Sequence, residues 1–167
     1  MSVCKIYTYP DEILRGNAAN IEEINGDTQV LIDNMVETMY AAPGIGLAAP
    51  QIGDHRRVIV LDVSNIEEHR PLITIINPVI VEAQGTVESE EGCLSVPGYI
   101  SSIRRHEKVL VKGVDRDGKE IFVEADGLLS RALQHEIDHL DGVLFVDKMS
   151  KIKREFFKKR YLRSIKA

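Results

Sequence analysis

His135 and His139 stand four residues apart with Glu136 directly after the first. On a helix that spacing projects both imidazoles from one face, where they can hold a single metal ion. A carboxylate beside a ligand can take the proton of a water that the ion activates. His-Glu-x-x-His therefore points to a metal-dependent hydrolase. The competing reading is a surface helix with two hydrogen-bonded histidines, and the intervening Glu and the apolar frame around it favour the metal. Two imidazoles are only two ligands, so a third must come from elsewhere and leave a position open for water.

The frame is Asp126 to Gly142. Leu128, Leu129, Ala132, Leu133 and Leu140 recur at helical spacing. Asp126 is placed to cap the helix through its carboxylate, and Gly142 to end it in a left-handed turn.

Downstream positions do not supply the third ligand well. Residue 145, six beyond the second His, is Phe, and Glu155 lies within a basic tail. Cys93 lies between strands in Glu90 to Gly98, where Gly92, Pro97 and Gly98 predict an irregular, tightly turned segment able to present a thiolate. A lone Cys is more often a small inert hydrophobe. The segment Gly44 to Gly53 is small and apolar around one amide side chain, Gln51. It reads equally as a tight connection or as a loop that a ligand approaches. An endopeptidase, and a metal-binding or ribosome-associated module without catalysis, remain the alternatives on residues alone.

Three stretches taken together are more specific. Gly44-Ile-Gly-Leu-Ala-Ala-Pro-Gln51, Glu91-Gly-Cys-Leu-Ser95 and Gln134-His-Glu-Ile-Asp-His139 resemble, in order, the three motifs of the peptide deformylases. The likeness runs through nearly the whole chain, including Tyr9-Pro-Asp-Glu-Ile-Leu-Arg15. It implies that Cys93, His135 and His139 hold a divalent metal, Fe(II) foremost, with Zn(II), Ni(II) or Co(II) as other occupants. It implies a reaction that removes the formyl group from the N-terminal formyl-methionine of new polypeptides and releases formate. Glu136 would carry the proton, while Gln51 and the backbone N–H of Leu94 would hold the oxyanion. Ile45, Leu128, Arg131 and Ala132 would line the methionine pocket, and backbone groups at Ile45, Gly46 and Gly92 would pair with the extended peptide. Two positions depart from the family pattern. Arg131 replaces an apolar residue, and is expected at the rim with its stem packed. Ile100 stands where some members carry an Arg, which leaves Arg105 to pair with Glu91 and brace the Cys93 segment.

The positioning elements follow. The chain has 167 residues, 44% hydrophobic and 28% charged, enough for one domain with a substantial core. The fold expected is α+β: mixed or antiparallel strands packed around a central metal-binding helix, with a long early helix and a C-terminal helix. A turn at Pro10 to Arg15 precedes the early helix, expected from about Thr28 to Ala41. Asp27 is its candidate cap, and Val30, Leu31, Met35, Met39 and Tyr40 form one stripe. Strands are expected at Arg57–Asp62, Leu72–Asn77 with Pro78–Val81 extending or following it, Glu107–Gly113 and Glu120–Glu124. A polar loop covers 64–71, and Asp117-Gly118 marks a hairpin turn.

Residues 148–167 hold nine Lys or Arg against Glu155 alone, leaving 12 basic and 25 acidic groups elsewhere, a charge of −13 in a chain of net −5. Residues 1–147 read as the catalytic body and 148–167 as a basic helix of the same domain. Ile152 and Phe156, with Phe157 beside them, are expected to pack on the body. The basic face is either solvated or a dock for ribosomal RNA; DNA and membrane partners are not expected. No apolar run spans a bilayer, and the first residues resemble neither a secretory signal nor a transit peptide. A bacterial cytoplasmic location is the expectation, with Cys4 and Cys93 reduced rather than bridged.

Overall fold

A computed structural model describes residues 2–67 and 71–166. Residues 68–70 of the polar loop, together with 1 and 167, lie outside the described residues. The architecture is α+β, with three α-helices, a five-stranded antiparallel sheet and a two-stranded antiparallel hairpin.

Helix α1 (Gly26–Ala41) begins in a capping box: Asn25 accepts from Thr28 N–H, and the Thr28 hydroxyl accepts from Asn25 N–H. Asp27, the expected cap, lies in the first turn and pairs with Arg56 at 2.7 Å instead. The buried stripe is Thr28, Leu31, Ile32, Met35, Thr38 and Met39, while Val30 and Tyr40 are exposed. Residues 30 and 40 lie about 100° from the neighbours that open and close that stripe, enough to turn them to solvent.

Strands β1 (Gly46–Ala48), β2 (Val58–Leu61), β3 (Ile73–Gln84), β6 (Lys108–Val114) and β7 (Glu120–Ala125) form the large sheet in the order β1-β2-β3-β6-β7. Every residue of β2 is buried. Val58 and Val60 pack with the α1 core; Ile59 and Leu61 pack with the core of α2 (Gly127–Leu140). Cover on both faces explains a continuous β-branched run in an antiparallel sheet. Strand β3 continues through Pro78, with a register shift against β6 and Asn77 at φ 54°. The Asn77 amide closes two bonds of 2.8 Å with the backbone of Ile21 at that irregularity.

Asp126 occupies the N-cap of α2, but its carboxylate makes no cap bond. Leu128 N–H donates instead to Glu67 Oε1 at 3.0 Å, which brings a second carboxylate to the helix start from the distant loop. The helix ends at Gly142, φ 75°, where a Cβ would meet the Arg15 carbonyl oxygen at 2.5 Å. Only glycine fits both requirements.

The expected irregular segment around Cys93 is instead a hairpin, β4 (Val87–Cys93) and β5 (Val96–Arg105). At the other end of the chain, α3 (Lys151–Lys166) docks through Phe157, which is fully buried, with Tyr161 and Leu162 beside it. Ile152 and Phe156, the expected anchors, are exposed. No helix among the described residues is long and apolar enough to cross a membrane.

Candidate metal centre

The β4–β5 hairpin brings Cys93, the last residue of β4, against one face of α2. His135 Nε2 and His139 Nε2 lie 3.2 Å apart, and Cys93 Sγ is 3.4 Å from His139 Nε2. The three donor atoms fall within 4.8 Å of one another. A tetrahedral ion about 2.05 Å from nitrogen and about 2.3 Å from sulfur sets its nitrogens about 3.3 Å apart and nitrogen and sulfur about 3.5 Å apart. The donor set fits such an ion. One thiolate and two imidazoles suit Fe(II), Zn(II), Ni(II) or Co(II) equally.

Surrounding groups hold that geometry. His135 Nδ1 donates to Glu91 Oε1 at 2.9 Å, which turns the lone pair of Nε2 toward the centre. Burial works against protonation of His135, yet the Cys93 sulfur and the Glu91 and Glu136 carboxylates outweigh it and raise its pKa well above the usual range. Burial and the neighbouring His135 push His139 well below it. Ser95 N–H at 3.4 Å and Gln51 Nε2 at 3.6 Å both approach Cys93 Sγ, as donors around a thiolate do.

Glu136 is buried, and its Oε1 has no hydrogen-bond partner among the described residues. Burial pushes this carboxyl up to about 7, against the lowering effect of His135 and Arg105. Its other oxygen faces Gly46, where a Cβ would sit 2.5 Å from Oε2. A carboxyl with a free oxygen and a pKa near neutrality is suited to carrying a proton.

A cavity of about 720 Å³ opens over the centre. Ile45, Gly46, Gln51, Gly92, Cys93, Leu94, Leu128, Arg131, Ala132, His135 and Glu136 all line it, so the structure gathers every residue expected of the site except His139, which lies beneath it.

A polypeptide deformylase family profile matches residues 3–155. This chain belongs to that family. It is 58% identical to the peptide deformylase of Thermodesulfovibrio yellowstonii over 96% of its own length and 98% of the relative. Against that of Syntrophobacter fumaroxidans it is 52% identical over 99% and 98%. Among solved structures, a deformylase from Legionella pneumophila matches with a TM-score of 0.91 at 45% identity, covering 99% of this chain and 96% of that one. A deformylase from Ehrlichia chaffeensis in complex with actinonin matches with a TM-score of 0.91 at 42% identity, covering 98% of each.

Several residues around the deformylase site were missed or understated by motif reading. Arg105 donates to both oxygens of Glu91, at 2.8 and 2.9 Å, and to Asp138 Oδ2 at 2.6 Å. The pairing with Glu91 was expected; Asp138 was not, although its place inside the motif, one turn after Gln134, was a usable signal. Burial raises the Glu91 pKa, but the bonds to Arg105 and His135 prevail and hold it at about 2. Ser95 accepts from Gln51 Nε2 at 3.0 Å and is fully buried. Gln134 ties α2 to the His106 backbone, accepting from its N–H and donating to its carbonyl, each at 2.9 Å.

Proposed function

We propose that the cavity above Cys93, His135 and His139 hydrolyses the N-terminal formyl group of formyl-methionyl nascent polypeptides, releasing formate and a free amino terminus. The family membership carries the reaction. The observation that carries the residue roles is one buried, unpartnered carboxylate oxygen on Glu136 beside a three-atom donor set.

A divalent ion held by these three residues would supply Lewis acidity to the reaction. Glu136 takes the proton of the attacking water and returns it to the departing amine. Gln51 Nε2–H and Leu94 N–H meet the developing oxyanion, a contribution of about 3 kcal/mol per donor. Ile45, Leu128 and Ala132 form apolar wall for the methionine side chain. Arg131 gives its stem to the wall and its charge to the rim. Gly46 and Gly92 offer backbone groups to an extended peptide.

Iron is the metal proposed, on the resemblance to the family; thiolate and imidazole accept Fe(II) along with the other ions, and an iron–thiolate site would be sensitive to oxygen. Metal analysis of protein purified without oxygen tests this; zinc as the bound ion would set it aside. Residues 1–147 are assigned to the catalytic body and the basic segment 148–167, which carries α3, to the same domain, working in the bacterial cytoplasm. The nine basic side chains of 148–167 support docking on ribosomal RNA. Unchanged ribosome cosedimentation of a chain truncated at Lys148 would remove the docking proposal.

The decisive experiment is formate release from formyl-Met-Ala-Ser by metal-loaded protein. Cleavage of internal peptide bonds without formate release would overturn the reading.

A further inference from the structure

Gln51 is held at both ends of its carboxamide. Ala48 N–H donates to Oε1 at 2.9 Å, and a backbone N–H can only donate, so the amide oxygen is fixed on that side. Nε2 then faces Ser95 Oγ at 3.0 Å and Cys93 Sγ at 3.6 Å. Both residues are buried, Gln51 at 1% exposure and Ser95 at 0%, so water does not compete for these bonds. An amide nitrogen carries two hydrogens. With one on Ser95 Oγ, the second lies on the side of Cys93 Sγ, a long 3.6 Å contact that an oxyanion can share or replace.

Ser95 is itself fixed at the backbone. Its N–H donates to Cys93 Sγ at 3.4 Å, and its carbonyl accepts from Tyr9 N–H at 2.7 Å. The backbone that carries the hydroxyl therefore keeps a set position relative to the sulfur. The last torsion of a glutamine side chain is broad, so one anchor on Oε1 leaves the plane of the amide free to turn. The second anchor removes that freedom.

We propose that Ser95 is a positioning residue for deformylation: its hydroxyl holds one Nε2–H of Gln51 and so aims the other at the oxyanion. The proposal rests on the role given above to Gln51. A misaimed donor weakens a hydrogen bond that is made only in the transition state, a loss of about tenfold in kcat.

The test is a double-mutant cycle in zinc-loaded protein on formyl-Met-Ala-Ser. Ser95→Ala is expected to keep one metal per chain, leave KM within about twofold and lower kcat about tenfold. In a Gln51→Ala background the same change is expected to have no further effect. Ser95→Cys fills the volume with a weaker acceptor and is expected to fall as Ser95→Ala does. Independently of turnover, the Gln51 side-chain amide protons in NMR spectra should be protected from exchange in the parent protein and lose that protection in Ser95→Ala. An unaltered kcat in Ser95→Ala, recovery in Ser95→Cys, or equal losses in both backgrounds would overturn the proposal. A parent protein that releases no formate would overturn the proposed reaction instead. A Gln51→Ala protein with parental kcat would overturn the role of Gln51 and this proposal with it.

Discussion

Glu91 Oε1 lies 2.9 Å from His135 Nδ1, and the carboxylate that orients this imidazole is itself held by two bonds from Arg105. A guanidinium on β5 is thus linked, through one carboxylate on β4, to a candidate metal ligand on α2. Glu91→Ala is expected to weaken metal affinity by about 10- to 100-fold, measured by competition with a chelator. Arg105→Ala strands the carboxylates of Glu91 and Asp138, and is expected to destabilise the fold by about 3–5 kcal/mol in denaturant titration. Wild-type metal retention in both variants would show that the pairing does not support the centre.

Glu136 and Cys93 separate into different failures. Glu136→Gln keeps the shape but cannot carry the proton, so turnover should fall at least about 100-fold with metal retained. Cys93→Ala should lose the metal. Gly46→Ala gives a third, structural route to the first outcome, since its Cβ would lie 2.5 Å from Glu136 Oε2 and displace the carboxylate. Full activity of metal-replete Gly46→Ala would mean that Glu136 need not sit where the structure has it.

The placing of His135 and His139 on one face of α2 could be read from sequence because everything about it is local: a 3.6-residue apolar period, a four-residue His spacing, a terminal glycine. What failed was non-local or ambiguous by one residue. The carboxylate that accepts from Leu128 N–H in the first turn of α2 comes from Glu67, some sixty positions away, which no window around Asp126 contains. Strand β4 reads Val-Glu-Ser-Glu-Glu-Gly-Cys, acidic and poor in β-formers, and it is matched by pairing with β5, where Glu88 stands opposite Arg104. Asn25 caps α1 two residues ahead of the Asp that local reading chose. The Cys93 position was legible as a turn-flanked thiol, but the hairpin that presents it was not.

Tyr40 O–H donates to Asp62, a residue whose backbone N–H donates to the Ile45 carbonyl of the cavity wall at 2.8 Å. That hydrogen bond, with burial and the Asp62 charge adding to it, raises the Tyr40 pKa from 10.0 to about 12. A pKa raised in the fold means that the unfolded chain loses this proton first. The contribution is present below pH 10 and is lost as pH climbs from 10 toward 12. Alkaline absorbance titration should show a late tyrosine that is missing in Tyr40→Phe, and the variant should lose stability less steeply across that window. Superimposable titrations of the two proteins would refute the assignment.

Phe156 and Phe157 are adjacent aromatic residues with opposite fates. Phe157 is 1% exposed, its ring 4.5 Å from that of Tyr99 and 5.2 Å from that of Tyr9; Phe156 is 63% exposed. Helical geometry turns neighbours by about 100°, so only one of the pair can face the body, and an apolar count cannot choose between them. The aromatic partners decide it. Tyr161, one turn on, stacks on Phe157 at 5.1 Å, and Tyr99 stacks on Phe145, which stacks in turn on His135 at 6.0 Å. Removing the Phe157 ring empties the middle of this cluster, and Phe157→Ala is expected to cost about 3–5 kcal/mol. Phe156→Ala removes an exposed ring and should stay within about 0.5 kcal/mol of the parent. Chemical denaturation of the two variants in parallel separates the cases: equal midpoints would mean that α3 does not dock through Phe157, and the path from the basic helix to His135 would lose its first link.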